Sequence, residues 1–120
     1  MPNLTLTALI MLVLDLSFLY LISDSLKTQI HDAQGSSLRI NWVGAALCYA
    51  ILIFALYFFI LRKHRPVSEA FVLGFVIYGV YETTTISLLK NWRWSTVLVD
   101  TLWGGTLFAL TTHLTYSFLQ

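Results

Sequence analysis

The sequence predicts an all-α, polytopic integral membrane protein built as an antiparallel bundle of four transmembrane helices. Of the 120 residues, 58% are hydrophobic and only 11% are charged, whereas charged residues make up about a quarter of an average soluble domain. The apolar residues also gather in four runs, each close to the ~20 residues that a helix needs to cross the hydrocarbon core of a bilayer. Because an isolated span must satisfy its own backbone hydrogen bonds, each run is predicted to be a helix.

Polar breaks separate the four runs, and residues 1–120 are predicted to form one membrane domain. The predicted spans are approximately residues 4–22, 42–61, 70–89 and 96–118. The first break is the polar segment 23–41, which is predicted to be a loop. The second break contains Pro66, which is expected to end the helix before it. Ser68 and Glu69 are predicted to start the third span, because a serine cap and an early acid suit the positive end of a helix.

The third break, KNWRW, has the composition of a membrane interface. Trp92 and Trp94 are predicted interface anchors, and Lys90 and Arg93 are predicted to lie among the head groups beside them. Basic residues are divided almost evenly between the two sides of the membrane. The second break holds Arg62, Lys63 and Arg65, and the opposite side holds Lys27, Arg39, Lys90 and Arg93. The compactness of the second group favours a cytosolic location for both termini, which lie on the same side as that break.

Three acids lie inside the predicted spans, where charge is costly. In an antiparallel hairpin, residues equally far from the turn have the same height, and Glu82 and Asp100 are equally far from Asn91. Asp15 and Glu82 each come about seven residues before the end of a span on that side, which is roughly 10 Å along a helix. The sequence therefore predicts that all three acids lie near one level of the membrane.

Helical spacing gives these acids polar and small neighbours. Tyr78 and Tyr81 share a predicted helix face with Glu82, and Trp103 shares one with Asp100. The candidate intramembrane polar cluster consists of Asp15, Glu82, Asp100, Tyr78, Tyr81, Thr84 and Trp103. Small residues let membrane helices approach closely, and the predicted helix-packing residues are Gly74, Gly79 and Gly104.

The acids have a structural and a functional interpretation, and the sequence leaves both open. A carboxyl group in a low-dielectric bundle tends to be neutral, so these acids could join helices through hydrogen bonds to tyrosine, threonine and tryptophan. Acids inside membrane spans also mark proton and ion pathways. No lysine or arginine lies within the four predicted spans as a fixed partner. The acids would then hold protons or attract a cation.

The sequence contains no motif that predicts an enzyme, a metal site or a cofactor. It lacks a Ser-His-acid order, a Gly-rich phosphate loop and a paired metal-binding histidine motif. His113 comes about thirteen residues after Asp100, roughly 20 Å along a helix, which excludes a shared metal site. The single cysteine, Cys48, lies in an apolar run and is predicted to be a small buried hydrophobic residue. Seven basic and six acidic residues leave no basic footprint for nucleic acid.

Residues 70–105, AFVLGFVIYGVYETTTISLLKNWRWSTVLVDTLWGG, resemble a family of small membrane proteins of bacteria and large DNA viruses, domain-of-unknown-function family 2177. The family pattern joins a Gly-x-x-x-Tyr-Gly-x-Tyr-Asp-Leu-Thr-Asn stretch to a Trp-bearing loop and an Asp-x-x-Trp-Gly motif. The matching residues are Gly74, Tyr78, Gly79, Tyr81, Thr84, Trp92, Asp100, Trp103 and Gly104. Glu82 replaces the family's Asp, and Thr85 replaces its Asn. The resemblance implies a four-helix membrane protein with no established activity, and it is looser over the first half of the chain.

These observations predict a non-enzymatic membrane protein whose partners are the lipid bilayer, further copies of itself, or other membrane or capsid proteins. The first predicted function is a structural or assembly role in a membrane, such as the inner membrane of a virion. The alternative is a transporter or channel component whose intramembrane carboxylates bind protons or a cation. Because four helices form only a small pore, this alternative would require an oligomer.

Overall fold

The computed structural model describes residues 4–34, 41–89 and 92–119, and within these ranges the chain is helical without strands. The helices are α1 (Leu4–Leu21), α2 (Ser23–Gln34), α3 (Trp42–Leu56), α4 (Val67–Leu88) and α5 (Trp94–Leu119), and a π-helical turn, Tyr57–Leu61, continues α3. The molecule measures 48 by 24 by 22 Å. Its long dimension exceeds the roughly 40–45 Å of a bilayer with its head groups.

Three of these helices are long and apolar enough to cross a membrane: α1, α3 with its π-helical end, and α4. The fourth long helix, α5, has 26 residues, which is about 39 Å of helix. It is less apolar because it contains several threonines, four of which are buried inside the bundle. These buried residues are Thr101, Thr111, Thr112 and Thr115. The predicted all-α membrane fold is confirmed.

The sequence predicts a loop over the first polar break. This prediction was wrong, because the break contains α2. Only Ile22 separates α2 from α1, and backbone hydrogen bonds continue across it: Ile22 N–H donates to the Phe18 carbonyl at 3.2 Å, and Leu26 N–H donates to the Ile22 carbonyl at 2.9 Å. Leu26 and Ile30 lie one helical turn apart, so they share a face. The prediction was wrong because it considered only the polarity of this segment and not that spacing. Arg39, in the same break, lies outside the described residues.

The turn between α3 and α4 differs in detail from the prediction. Pro66 is the residue that caps α4, and Ser68 does not serve as the cap, because Val67 already begins the helix. Glu69 lies in the first turn of α4 and forms an exposed ion pair of 2.8 Å with Arg65. The Tyr116 hydroxyl of α5 donates to the Arg65 carbonyl at 2.8 Å. This contact attaches the C-terminal part of α5 to the turn.

The closest helix contact joins α4 and α5, which run antiparallel. A Cβ atom on Gly74 would overlap the Gly104 carbonyl oxygen, and one on Gly104 would overlap the Tyr78 ring. A Cβ on Gly79 would meet only Thr101, at an ordinary 3.5 Å. Of the three predicted packing glycines, Gly74 and Gly104 therefore mark the close approach.

A fourth glycine, Gly105, also lies at a tight contact that the sequence analysis missed. A Cβ on Gly105 would lie 2.8 Å from the Phe71 ring. The core beside these glycines includes Phe108 and Leu107 of α5, Met11 of α1 and Leu56 of α3, all fully buried. These contacts position the polar residues one to two turns nearer the α4–α5 connection.

Candidate functional site

The three acids inside the helices line a single cavity of about 1000 Å³. Asp15 comes from α1, Glu82 from α4 and Asp100 from α5. Asp15 is 6% exposed and Glu82 only 1% exposed, whereas Asp100 is partly buried. The sequence predicts that the three acids lie at one depth in the membrane. In the structure they line the same cavity. We refer to it below as the acid cavity.

Apolar side chains from several helices form most of the remaining wall of the acid cavity. They include Phe18, Leu19, Ile22, Leu26, Ile30, Ile51, Leu52, Ile77, Leu89 and Val99. The two from α2, Leu26 and Ile30, extend this wall beyond the end of α1. None of the described lining residues is Lys, Arg or His. The lining therefore combines a large apolar surface with acids that have no fixed counter-charge among those residues.

Asp15 is held by hydrogen bonds from two other helices. The Tyr49 hydroxyl of α3 donates to one carboxyl oxygen, and Trp103 Nε1 of α5 donates to the other at 2.9 Å. Phe18 stacks on the Trp103 ring with 4.5 Å between ring centroids and 6° between planes. Asp15 thus joins α1, α3 and α5, and each of its carboxyl oxygens accepts a hydrogen bond.

The partners of Asp15 were only partly predicted. Trp103 was placed beside Asp100 on its own helix, but its N–H reaches Asp15 instead. Tyr49 was not in the predicted cluster. The sequence could have predicted this contact. Tyr49 lies about as far after the start of the second span as Asp15 lies before the end of the first, so the two residues have the same depth.

Glu82 and Asp100 form a different arrangement, in which the two carboxyl groups interact directly with each other. Glu82 Oε2 is buried and has no hydrogen-bond partner within the described ranges. The Trp92 indole N–H faces the Glu82 carboxyl group, although the two do not meet the full geometry of a hydrogen bond. Two neighbouring carboxylates repel each other unless a proton or a cation lies between them. Glu82 therefore keeps one buried oxygen without a partner among the described residues, whereas each oxygen of Asp15 accepts a hydrogen bond.

The structure brings most of the other predicted cluster residues to the acid cavity. Tyr78 and Tyr81 line it, and the Tyr78 ring also covers Gly104. Thr84 does not line it. Its exposed hydroxyl donates to the Val80 carbonyl of its own helix at 2.7 Å. The neighbouring Thr85 takes the lining position.

The predicted interface anchors have different environments. Trp92 lines the acid cavity with a half-buried indole, while Trp94 is 71% exposed. Arg93 is exposed. Lys90 lies outside the described residues. Trp92 is therefore part of the candidate site as well as a residue of the helix connection.

Cys48 is exposed and lines the acid cavity, so the prediction that it is buried was wrong. The reason is that α3 directs this position towards the cavity and not against a neighbouring helix. No group of three or more His, Cys, Asp or Glu residues in the described part of the chain is arranged to hold a metal ion. His113 is exposed. The chemistry of the cavity therefore depends on its carboxyl groups and aromatic rings.

Together, these features define a polytopic integral membrane protein with a half-open acidic cavity whose walls are largely apolar. The model of the predicted membrane protein family DUF2177 matches residues 3–117, and the chain belongs to that family. The match includes the first two spans as well as the last two. No curated protein and no solved structure matches the chain significantly.

Proposed function

We propose that this protein binds a proton or a cation in the acid cavity and acts as a component of a membrane transporter or channel. The observation that supports this function best is the convergence of Asp15, Glu82 and Asp100 on one cavity. Acids are costly inside a membrane and typically mark ion or proton pathways. An acidic cavity without a basic residue among its described lining residues attracts positive charge.

The two kinds of carboxyl environment suggest a division of roles. Both oxygens of Asp15 accept hydrogen bonds, from Tyr49 and Trp103, so Asp15 orders the cavity wall. Glu82 and Asp100 interact with each other, and Glu82 Oε2 has no partner in the described part of the structure. The Glu82–Asp100 pair is therefore the proposed binding group.

Polar side chains continue along α5 beyond the acid cavity. The hydroxyl groups of Thr101, Thr111 and Thr112 are buried and have no hydrogen-bond partner among the described residues. Thr112 is about 18 Å along the helix from Asp100. Thr101 and Thr112 share a face of α5, and the fully buried Phe108 lies on that face between them.

Exchange of the carboxyl pair for amides tests the proposal. We expect Glu82→Gln and Asp100→Asn to abolish proton or cation flux into liposomes, because an amide forms hydrogen bonds but neither takes up a proton nor carries charge. Flux would be measured with a pH-sensitive dye and with Na⁺ and K⁺ tracers under imposed gradients. Glu69→Gln is the matched control, because Glu69 is exposed at the other end of α4 and pairs with Arg65. An absence of wild-type flux under every gradient, with normal assembly of all variants, would refute the proposal.

A structural or assembly role is the second candidate function, and the Asp15 network favours it. One carboxyl group joins three helices through Tyr49 and Trp103, as expected of an acid that serves the fold. This role predicts that Glu82→Gln and Asp100→Asn are tolerated, since both amides can still form hydrogen bonds. Normal assembly combined with lost flux in these variants would eliminate the structural role as the function of the pair.

We also propose that both termini lie on the cytosolic side. The connection between α3 and α4 carries Arg62, Lys63 and Arg65 in a compact group, and such groups are enriched on the cytosolic side of membrane proteins. Epitope tags at either terminus should therefore become accessible to protease only after the cell membrane is opened. Cleavage of either tag in intact cells would contradict this orientation.

A further inference from the structure

The size of the acid cavity restricts what can occupy it. Its volume of about 1000 Å³ is at the upper end of the roughly 300–1,000 Å³ typical of small-molecule sites. The cavity is half open, and a water molecule occupies about 30 Å³ of liquid, so a proton or a small hydrated ion would take up only a small part of it. The dimensions therefore suit an organic molecule.

The walls indicate that most of such a molecule is apolar. Phe18 and Leu19 of α1, Ile51 and Leu52 of α3, and Ile77 of α4 all line the cavity. Burial of apolar surface against such walls is favourable. The carboxyl groups are the charged features of the lining, so specificity would come from a small charged part of the ligand. The other polar lining groups are Trp92 and the hydroxyl-bearing residues Tyr78, Tyr81, Thr85, Ser95 and Thr96.

The charged part must be positive. Glu82 is 1% exposed, and its Oε2 atom has no hydrogen-bond partner within the described residues. Asp100 lies against it. Trp92 and Tyr81 bring aromatic rings to the same cavity, and aromatic faces attract organic cations. An anion would meet two acids and, among the described lining residues, no base.

We propose that the acid cavity binds an organic cation with an apolar body, in the class of lipophilic amines and quaternary ammonium ions. This inference rests on the proposed cation binding and names the class of ligand. The ammonium group pairs with Glu82 and Asp100, and the apolar body fills the space between α1, α3 and α4. A lipid acyl chain would use the walls but would leave Glu82 Oε2 without a partner, so its binding would not depend on that residue.

Cys48 provides a direct readout of occupancy in the native chain. It is the only cysteine in the sequence, and it is exposed at the acid cavity. The protein would be placed in lipid nanodiscs, and the rate of Cys48 alkylation by N-ethylmaleimide would be followed by mass spectrometry. Tetraphenylphosphonium is the test cation, tetraphenylborate is an anion of the same shape, and tetramethylammonium has the same charge with little apolar body.

We expect tetraphenylphosphonium at ten times its Kd to slow alkylation about tenfold, because only empty sites react. Tetraphenylborate and tetramethylammonium at the same concentration should have little effect. Glu82→Gln should abolish the protection, and Glu69→Gln should preserve it. Equal protection by tetraphenylborate, equal protection by tetramethylammonium, or no protection by any probe would each overturn the inference. These comparisons between probes use the wild-type chain, so they do not depend on the folding of a variant.

The outcome separates this inference from the proposed function. If Glu82→Gln abolishes proton or metal-ion flux but tetraphenylphosphonium gives no protection, the ligand class is wrong and the transport proposal stands. If protection depends on Glu82 and no flux occurs, the ligand class stands and the transport proposal fails.

Discussion

Replacement of Gly74 by alanine is expected to lower the free energy of unfolding by ~3 kcal/mol, the upper part of the usual cost of overpacking. The added methyl group would overlap the Gly104 carbonyl oxygen and would lie 2.9 Å from Cβ of Phe108. The obstructing carbonyl belongs to a helical backbone, so it cannot move aside by a side-chain rotation. Relief of the overlap requires α4 and α5 to separate, which also disturbs the Glu82–Asp100 pair.

Gly79→Ala is the matched control for this prediction, because it makes the same chemical change on the same helix. The methyl group would meet Thr101 at 3.5 Å, an ordinary contact, and alanine favours a helix over glycine by up to about 1 kcal/mol. The two substitutions should therefore change stability in opposite directions. Unfolding by sodium dodecyl sulfate in mixed micelles, followed by circular dichroism, would measure both. Equal stability of the two variants would show that the close approach of α4 and α5 is not required.

Replacement of Asp15 by alanine is expected to lower the free energy of unfolding by ~1–3 kcal/mol, because two buried donors lose their acceptor. These donors are the Tyr49 hydroxyl and Trp103 Nε1. Asp15→Asn should cost much less. Its amide oxygen can accept from Trp103, while its amide nitrogen can donate to the hydroxyl oxygen of Tyr49. The same unfolding measurement would compare the two variants.

Tyr49→Phe serves as an intermediate case for the Asp15 network, since it removes one of the two donors and retains the ring. We expect its stability to fall between those of the wild type and Asp15→Ala. If Asp15→Asn were as destabilised as Asp15→Ala, the network would depend on the negative charge of Asp15 and not on its hydrogen bonds. That result would contradict a purely structural role for this acid.

The height of the acids could be predicted from the sequence, but their choice of partners could not. Helix rise and alternating direction determine how deep Asp15, Glu82 and Asp100 lie. The contact between Trp103 and Asp15 depends in addition on how α5 is rotated against α1. That rotation is set by tertiary packing, including the approach of Gly74 to Gly104, which spacing within one helix does not specify.

Two other differences between the predicted and the observed structure could have been avoided from the sequence. Thr85 is three residues from Glu82 and lies on the same helix face, whereas Thr84 is two residues away and faces elsewhere. The spacing of Leu26 and Ile30 indicates a helix in a segment that polarity alone assigned to a loop. In both cases helical periodicity carried the correct signal. The exposure of Cys48 is different, because it depends on the cavity itself.

The helices of the bundle differ in how extensively they pack against one another. The α4–α5 hairpin packs along most of its length, whereas α3 has a much smaller contact with α1. Glu82 and Asp100 belong to the extensively packed hairpin, and Cys48 and Ile51 belong to the helix with the smaller contact. When the cavity changes volume, the α3 wall is therefore expected to yield, while the distance between the paired carboxyl groups is maintained.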